Sequence, residues 1–173
     1  MGGPCLIVCA DGERKPAPEC TDNFQIVSGK FTFNGKQWHS VEQAYQASKF
    51  ASDSAQHRQI HQTAPRGRDA WSYGVDVWER GQREPVAEWN AVKLRTMLLA
   101  NIAKFASSKG ARKALRETGE AVIVGASSTW EWAKWNGLIM MFIRKAIVAD
   151  TLSADGIGEL DHDAVAGLLE GGA

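Results

Sequence analysis

The chain has 173 residues, 44% of them hydrophobic and 23% charged, with 20 basic and 20 acidic side chains. That is ordinary for a soluble globular domain able to bury a sizeable core. The balanced charge excludes a chain-wide field toward nucleic acid or a membrane surface, so any such contact must come from a local patch.

Pro4 to Ala10 reads as a short strand. Leu6-Ile7-Val8 is too short for the apolar region of a secretory signal, and no basic region precedes it. No run approaches the roughly 18 apolar residues of a membrane span. Cys5, Cys9 and Cys20 are odd in number, lack Cys-x-x-Cys spacing and have no histidine cluster beside them. Neither a redox pair nor a zinc site is therefore expected, and a reduced, cytoplasmic protein without membrane attachment is the default. Asp11 to Thr21 reads as a loop of prolines and charges, and Gln25-Ile26-Val27 as a second apolar piece.

The stretch from Phe31 to Phe50 carries most of the information. Asn34-Gly35 is the dipeptide of a two-residue type I′ hairpin turn, in which both central residues need positive φ. That register sets Phe31 opposite Trp38, on the face that also carries Phe33. Ser40 then stands as a helix N-cap with Gln43 three residues on, a capping-box spacing. On a helix over 41–51, Glu42, Tyr45, Gln46 and Lys49 fall at i, i+3, i+4 and i+7, on one face. A polar stripe of this kind is more often a solvated face than a site. Tyr45 and the flanking Val41, Ala44, Ala47 and Phe50 argue for enclosure instead.

Farther along, Asp53 is expected to cap a helix through His61, and Thr63 to Asp69 is a basic, breaker-rich loop. Trp71 to Pro85, interrupted by Gly74 and Gly81, reads as irregular with short helical turns. Pro85 is placed as the first residue of a long helix, on which Val86, Trp89, Val92 or Lys93, Met97, Ile102 and Phe105 recur at helical spacing. Ser107 or Ser108 caps a helix to Thr118, closed by Gly119. Ala121 to Val124 reads as a strand, and 137–149 as a helix with no polar face, central to the domain. Asp161 to Glu170 reads as a short acidic helix. The fold class is α+β: a mainly helical single domain around a small antiparallel sheet. Residues 1–22 read as an N-terminal extension or edge strand, 23–150 as the main domain, and 151–173 as a tail.

The run F-x-x-x-G-K-x-W-x-S-V-E-x-x-Y-Q-A-x-K-F from Phe31 to Phe50 resembles the hallmark of the YbiA/NADAR family. Later blocks agree: Gly67-Arg68, Glu88-Trp89 with Met97 and Lys104-Phe105, Leu115 with Thr118-Gly119, and Met141 with Arg144. The resemblance covers about Asn23 to Arg144. One block departs: Ser127 stands where the family has an Asp, and the usual glycines before the last core helix are missing, although Trp130 keeps its place and Glu131 is a candidate substitute carboxylate.

The resemblance implies a YbiA-like fold and an N-glycosidase that cuts between a ribose anomeric carbon and a nitrogen. The activities it implies are removal of ADP-ribose from guanine bases, free or in DNA or RNA, and cleavage of riboflavin-pathway intermediates. A non-catalytic ADP-ribose or nucleotide binding module is the competing class. Lys49 and Glu42 are the expected catalytic pair. A desolvated Lys49 amine would form an imine at the anomeric carbon while Glu42 moves protons; direct water attack with Glu42 as base is the alternative. Asn23, Trp38, Tyr45, Gln46, Arg68 and Trp130 are the expected substrate contacts, with Arg66 beside Arg68 for pyrophosphate. Trp38 also has a structural reading through Phe31, Trp89 reads as core, and Trp130 and Trp132 are placed in a loop. His39 and His57 read as structural or solvent-facing. No metal or cofactor is expected, and a monomer is.

Overall fold

A computed structural model describes residues 3–127, 129–153, 156, 157 and 167. Apart from residue 167, the expected helix over 161–170 lies outside the described residues. The chain divides into two compact units, Asn23–Lys104 and the segments on either side of it.

The flanking unit is built on a three-stranded antiparallel sheet. Strand β1 (Cys5–Val8) is its middle member, with β2 (Arg14–Pro16) on one side. The segment Asp11 to Thr21, expected as a loop, thus supplies an edge strand and a 3₁₀ turn, Glu19–Thr21. Lys15 and Arg14 on the exposed edge suit a position where unpaired backbone faces water.

In the central unit, β3 (Phe31–Phe33) and β4 (Lys36–Trp38) form the expected hairpin, with Phe31 paired to Trp38 and φ of 49° and 70° at Asn34 and Gly35. Phe31, Phe33 and Trp38 are all buried, so one side of the hairpin is a core face. Helix α1 (Val41–Ala47) follows, capped by Ser40, whose hydroxyl accepts from the Gln43 amide at 3.1 Å. Helix α2 (Ala55–His61) is capped by Ser54 and not by Asp53, because it is the Ser54 hydroxyl that accepts from the His57 amide at 3.1 Å.

Helix α3 (Ala70–Arg80) corrects the irregular reading of 71–85. Its glycines are there for close approach and not as breakers. A Cβ on Gly74 would fall 2.3 Å from the ring of Phe24, and one on Gly81, at the helix C-cap, 1.9 Å from Gln46 Oε1. Asp69 caps the helix, accepting from the Ser72 amide at 2.9 Å. Helix α4 (Trp89–Ser107) starts four residues after Pro85, which therefore does not open it. Instead the next amide, that of Val86, donates to the Lys49 carbonyl at 2.9 Å.

In the flanking unit, α5 (Lys109–Arg116) is capped by Ser108 and followed by Gly119 at φ 57°. Strand β5 (Val122–Gly125) pairs antiparallel with β1, Leu6 opposite Val124. Helix α6 (Trp130–Val148) begins seven residues earlier than the apolar run from Gly137. Trp130 and Trp132 thus belong to its first turn and not to a loop. It lies tight on β5 because Gly137 carries no side chain: a Cβ there would meet the Ile123 carbonyl oxygen at 2.2 Å. Arg144, buried on this helix, donates to Thr118 Oγ1 and to the Ala121 carbonyl, both at 2.8 Å, tying α6 to the turn after α5. The helix is therefore not apolar on its inner side. Strands β6 (Leu152–Ser153) and β7 (Gly156–Ile157) form a two-stranded pair.

Helices and small antiparallel sheets together make the α+β class expected from the chain. Among the described residues no helix is long and apolar enough to cross a membrane.

Candidate active site

All seven residues of α1 are buried, Glu42 completely and Gln46 to 2% exposure. The polar stripe is therefore no solvated face. An ionisable side chain in such a place costs free energy unless it is hydrogen-bonded or paired. Gln46 Nε2 donates to Glu42 Oε1 at 2.7 Å, and the Glu42 amide donates to the Asn23 carbonyl at 2.9 Å. Gln43, also buried, holds the region around the helix. Its Oε1 accepts from the His39 amide at 2.9 Å, and its Nε2 lies 2.9–3.0 Å from the carbonyls of Ile60, His61 and Thr63. The capping-box residue thus reaches one position beyond the cap and also fixes the end of α2.

Lys49 is not on the helix. The chain leaves α1 at Ala47 through a tight turn, with the Lys49 amide donating to the Gln46 carbonyl at 3.4 Å and Phe50 to Ala47 at 3.1 Å. The i, i+7 spacing from Glu42 is accordingly not helical. A turn, and not two turns of helix, brings the amine back toward the carboxylate. Its Nζ donates to the Gly81 carbonyl at 3.2 Å and stands 5.9 Å from the centre of the Tyr45 ring. Burial lowers the amine below its ordinary value of 10.5, and the negative charge of Glu42 opposes that shift in part. A half-buried amine pushed toward neutrality beside a buried carboxylate has the pairing that nucleophilic amine chemistry requires.

Tyr45 is backed by Trp89, ring centres 4.9 Å apart at 60°. Trp89 is buried, as core spacing suggested, yet it supports the ring under Lys49. Gly81 is the other residue that sequence alone did not single out. It contributes a carbonyl and an absence of side chain, and neither has a motif. Asn23 lies fully buried, its Oδ1 accepting from Asn101 Nδ2 at 3.0 Å while its carbonyl receives the Glu42 amide. Its backbone carbonyl thus holds the start of α1.

The remaining expected contacts are placed elsewhere. Trp38 is 1% exposed, its Nε1 donating to the Phe33 carbonyl at 2.9 Å and its ring edge-on to His61 at 4.8 Å. The whole ring is spent on packing the hairpin, which corrects the expectation of a substrate contact. Arg68 is tied by all three nitrogens: Nη1 to Asp76 at 2.7 Å, Nε to the Pro65 carbonyl at 3.1 Å and Nη2 to the Ala64 carbonyl at 3.0 Å. It organises its own loop and lines a cavity of about 550 Å³ that Glu42 and Lys49 do not line. Trp130 stands in the flanking unit, 79% exposed. Among the described residues no three His, Cys, Asp or Glu side chains are grouped to hold a metal.

The model of the NADAR domain matches residues 14–133 of the chain. The match begins inside β2, earlier than Asn23, where the motif resemblance starts. No curated protein and no solved structure matches the chain.

Proposed function

The chain belongs to the NADAR domain family, which is associated with glycosidase activity, and from that premise we propose that it hydrolyses the bond between a ribose anomeric carbon and a nitrogen, releasing ADP-ribose from guanine. The observation that carries this reading is the Lys49 amine, lowered by burial, held over Tyr45 by the Gly81 carbonyl and electrostatically coupled to the buried Glu42.

Glu42, having taken a proton from the Lys49 ammonium, protonates the ribose ring oxygen; the bond from that oxygen to the anomeric carbon breaks, leaving a carbon–nitrogen double bond to the base. The neutral Lys49 amine adds to this carbon. A proton passes from the lysine nitrogen to the base nitrogen, the base departs, and a lysine imine remains. Water adds to the imine, giving up a proton to Glu42, and collapse of the adduct returns the amine and an open-chain sugar that recloses. The net change is one water consumed for one bond cleaved. Proton transfers of this kind contribute about 10²–10⁴-fold to rate.

The test is incubation of the protein with an ADP-ribosylated guanine nucleoside, with and without borohydride. Free ADP-ribose, together with a reduced sugar adduct on Lys49, is the expected result. Binding without release would reduce the protein to a reader, and full activity in Lys49→Arg, which keeps the charge but forms no imine, would overturn the covalent route.

A further inference from the structure

We infer that the groove between α2 and α3 binds the phosphodiester backbone of a polynucleotide. This deepens the reading above by naming the carrier of the scissile base, and it is tested by binding alone, without turnover.

The groove is the 550 Å³ cavity in the central unit, and four arginines line it, Arg58, Arg66, Arg68 and Arg80, against one carboxylate, Asp76. In a chain with no net charge this is a marked local excess of cations. Asp76 cannot cancel it. Burial would push its carboxyl up, but hydrogen bonds from Arg68 and Arg80, at 2.7 and 2.8 Å, hold it below the ordinary carboxylate range. It stays ionised and fixes two guanidinium groups in the wall. Each nitrogen of Arg68 has a partner, whereas among the described residues Arg80 has only its Nε engaged and keeps both Nη groups for a ligand. Among the same residues Arg58 keeps one Nη, the other donating to the Asp53 carbonyl.

Arg66 completes the rim. Its backbone has φ 51°, in the left-handed region that a β-carbon disfavours, and Gly67 follows at φ 78°. Glycine or asparagine would sit there with less strain. The exposed Arg66 guanidinium has no partner among the described residues, so the strained position contributes a cation to the groove and nothing visible to the fold.

The lining also says what the ligand is not. It contains no aromatic ring and no aliphatic side chain larger than alanine, so no base can stack and no apolar group can be enclosed. Its neutral polar groups are amides and a hydroxyl, from Gln59, Gln62 and Thr63. Arginine and amide donors without a stacking platform contact phosphates and sugars, and so set position without reading sequence. A cavity of this volume holds more than one phosphate group, and five of its lining residues, Ala55, Arg58, Gln59, Gln62 and Arg66, are exposed, making an open groove suited to a passing strand.

The experiment is fluorescence anisotropy of a short, unmodified, fluorescein-labelled single-stranded oligonucleotide titrated with the protein at several salt concentrations. Binding is expected to weaken linearly with the logarithm of salt. Arg66→Gly and Arg58→Gln should each reduce that slope by about 0.7, the value for one phosphate contact on a single strand. Arg66→Gly relaxes the backbone, so its melting temperature should not fall, and lost binding cannot be put down to lost folding. Three results would overturn the assignment: no binding of the strand, a salt slope unchanged in both variants, or displacement of the strand by inorganic pyrophosphate as effectively as by unlabelled strand. Because no bond is cut, strand binding by a protein that releases no ADP-ribose would sink the proposed reaction and leave the groove standing.

Discussion

Gly81 and Gln46 meet so closely that a Cβ on the glycine would stand 1.9 Å from the amide oxygen of the glutamine. The same glycine offers its carbonyl to Lys49 Nζ at 3.2 Å, and the same glutamine donates to Glu42 at 2.7 Å. One backbone position therefore sets the spacing of the amine and of the carboxylate's partner at once. Gly81→Ala should push Gln46 aside and shift both. Overpacking of a buried site costs about 1–3 kcal/mol, so the midpoint of chemical denaturation should fall accordingly and ADP-ribose release should drop at least tenfold. Wild-type stability and rate in this variant would show that the contact is relieved without consequence.

Gln43 binds four backbone groups from a completely buried position. Gln43→Ala leaves carbonyls of Ile60, His61 and Thr63 without this donor, and a buried unsatisfied group costs about 1–3 kcal/mol. A loss of at least 2 kcal/mol, on the order of two such groups, is expected in denaturant unfolding. Gln43→Glu keeps the size but sets a carboxylate against three carbonyls, and should be worse at neutral pH than at acid pH.

The Lys49 amine is lowered by burial and raised in part by Glu42. Removing the carboxylate charge in Glu42→Gln should lower it further. The reactivity of Lys49 toward an amine-selective reagent, followed by mass spectrometry against pH, should rise at lower pH in the variant than in the wild type. The stability effect has a definite sign. Between the depressed folded value and the ordinary 10.5 the unfolded chain binds more protons at this site, so its contribution rises with pH across that window. A reactivity curve that moves to higher pH in Glu42→Gln would contradict the coupling.

His39 and His57 are both lowered from 6.5, first by burial and then by the charges of Lys30 and Lys36 respectively, with His61 adding to each. Below 6.5 the unfolded chain takes up protons that the folded histidines resist, so stability is lost as pH falls through that value. His57 lies edge-on to Trp38, ring centres 5.8 Å apart. His57→Gln should flatten the decline of melting temperature between pH 7 and 5 (about the range in which histidine titrates). An equally steep decline in the variant would assign the acid sensitivity to other groups.

Much of the local structure could be foreseen because its signals act over a few residues. Asn34-Gly35 sets the turn and hence the Phe31–Trp38 register, Ser40 and Ser108 cap their helices, and Gly119 ends a turn with positive φ. The errors share one cause. Gly74 and Gly81 look like helix breakers in one dimension, whereas in three they are the places where α3 touches Phe24 and Gln46. Trp130 to Asn136 shows no clean apolar period, yet it starts α6, which lies on β5 through Gly137.

The chain's residue order was enough to establish the α+β class, the hairpin and the family pattern, and to single out Glu42 and Lys49 as candidates, since composition, turn chemistry and fixed spacing are properties of neighbours. Whether that amine is shielded, which carbonyl and ring hold it, and that four arginines line one groove depend on residues far apart in sequence. Burial and electrostatic coupling arise only when such segments are packed together, and no local pattern encodes them.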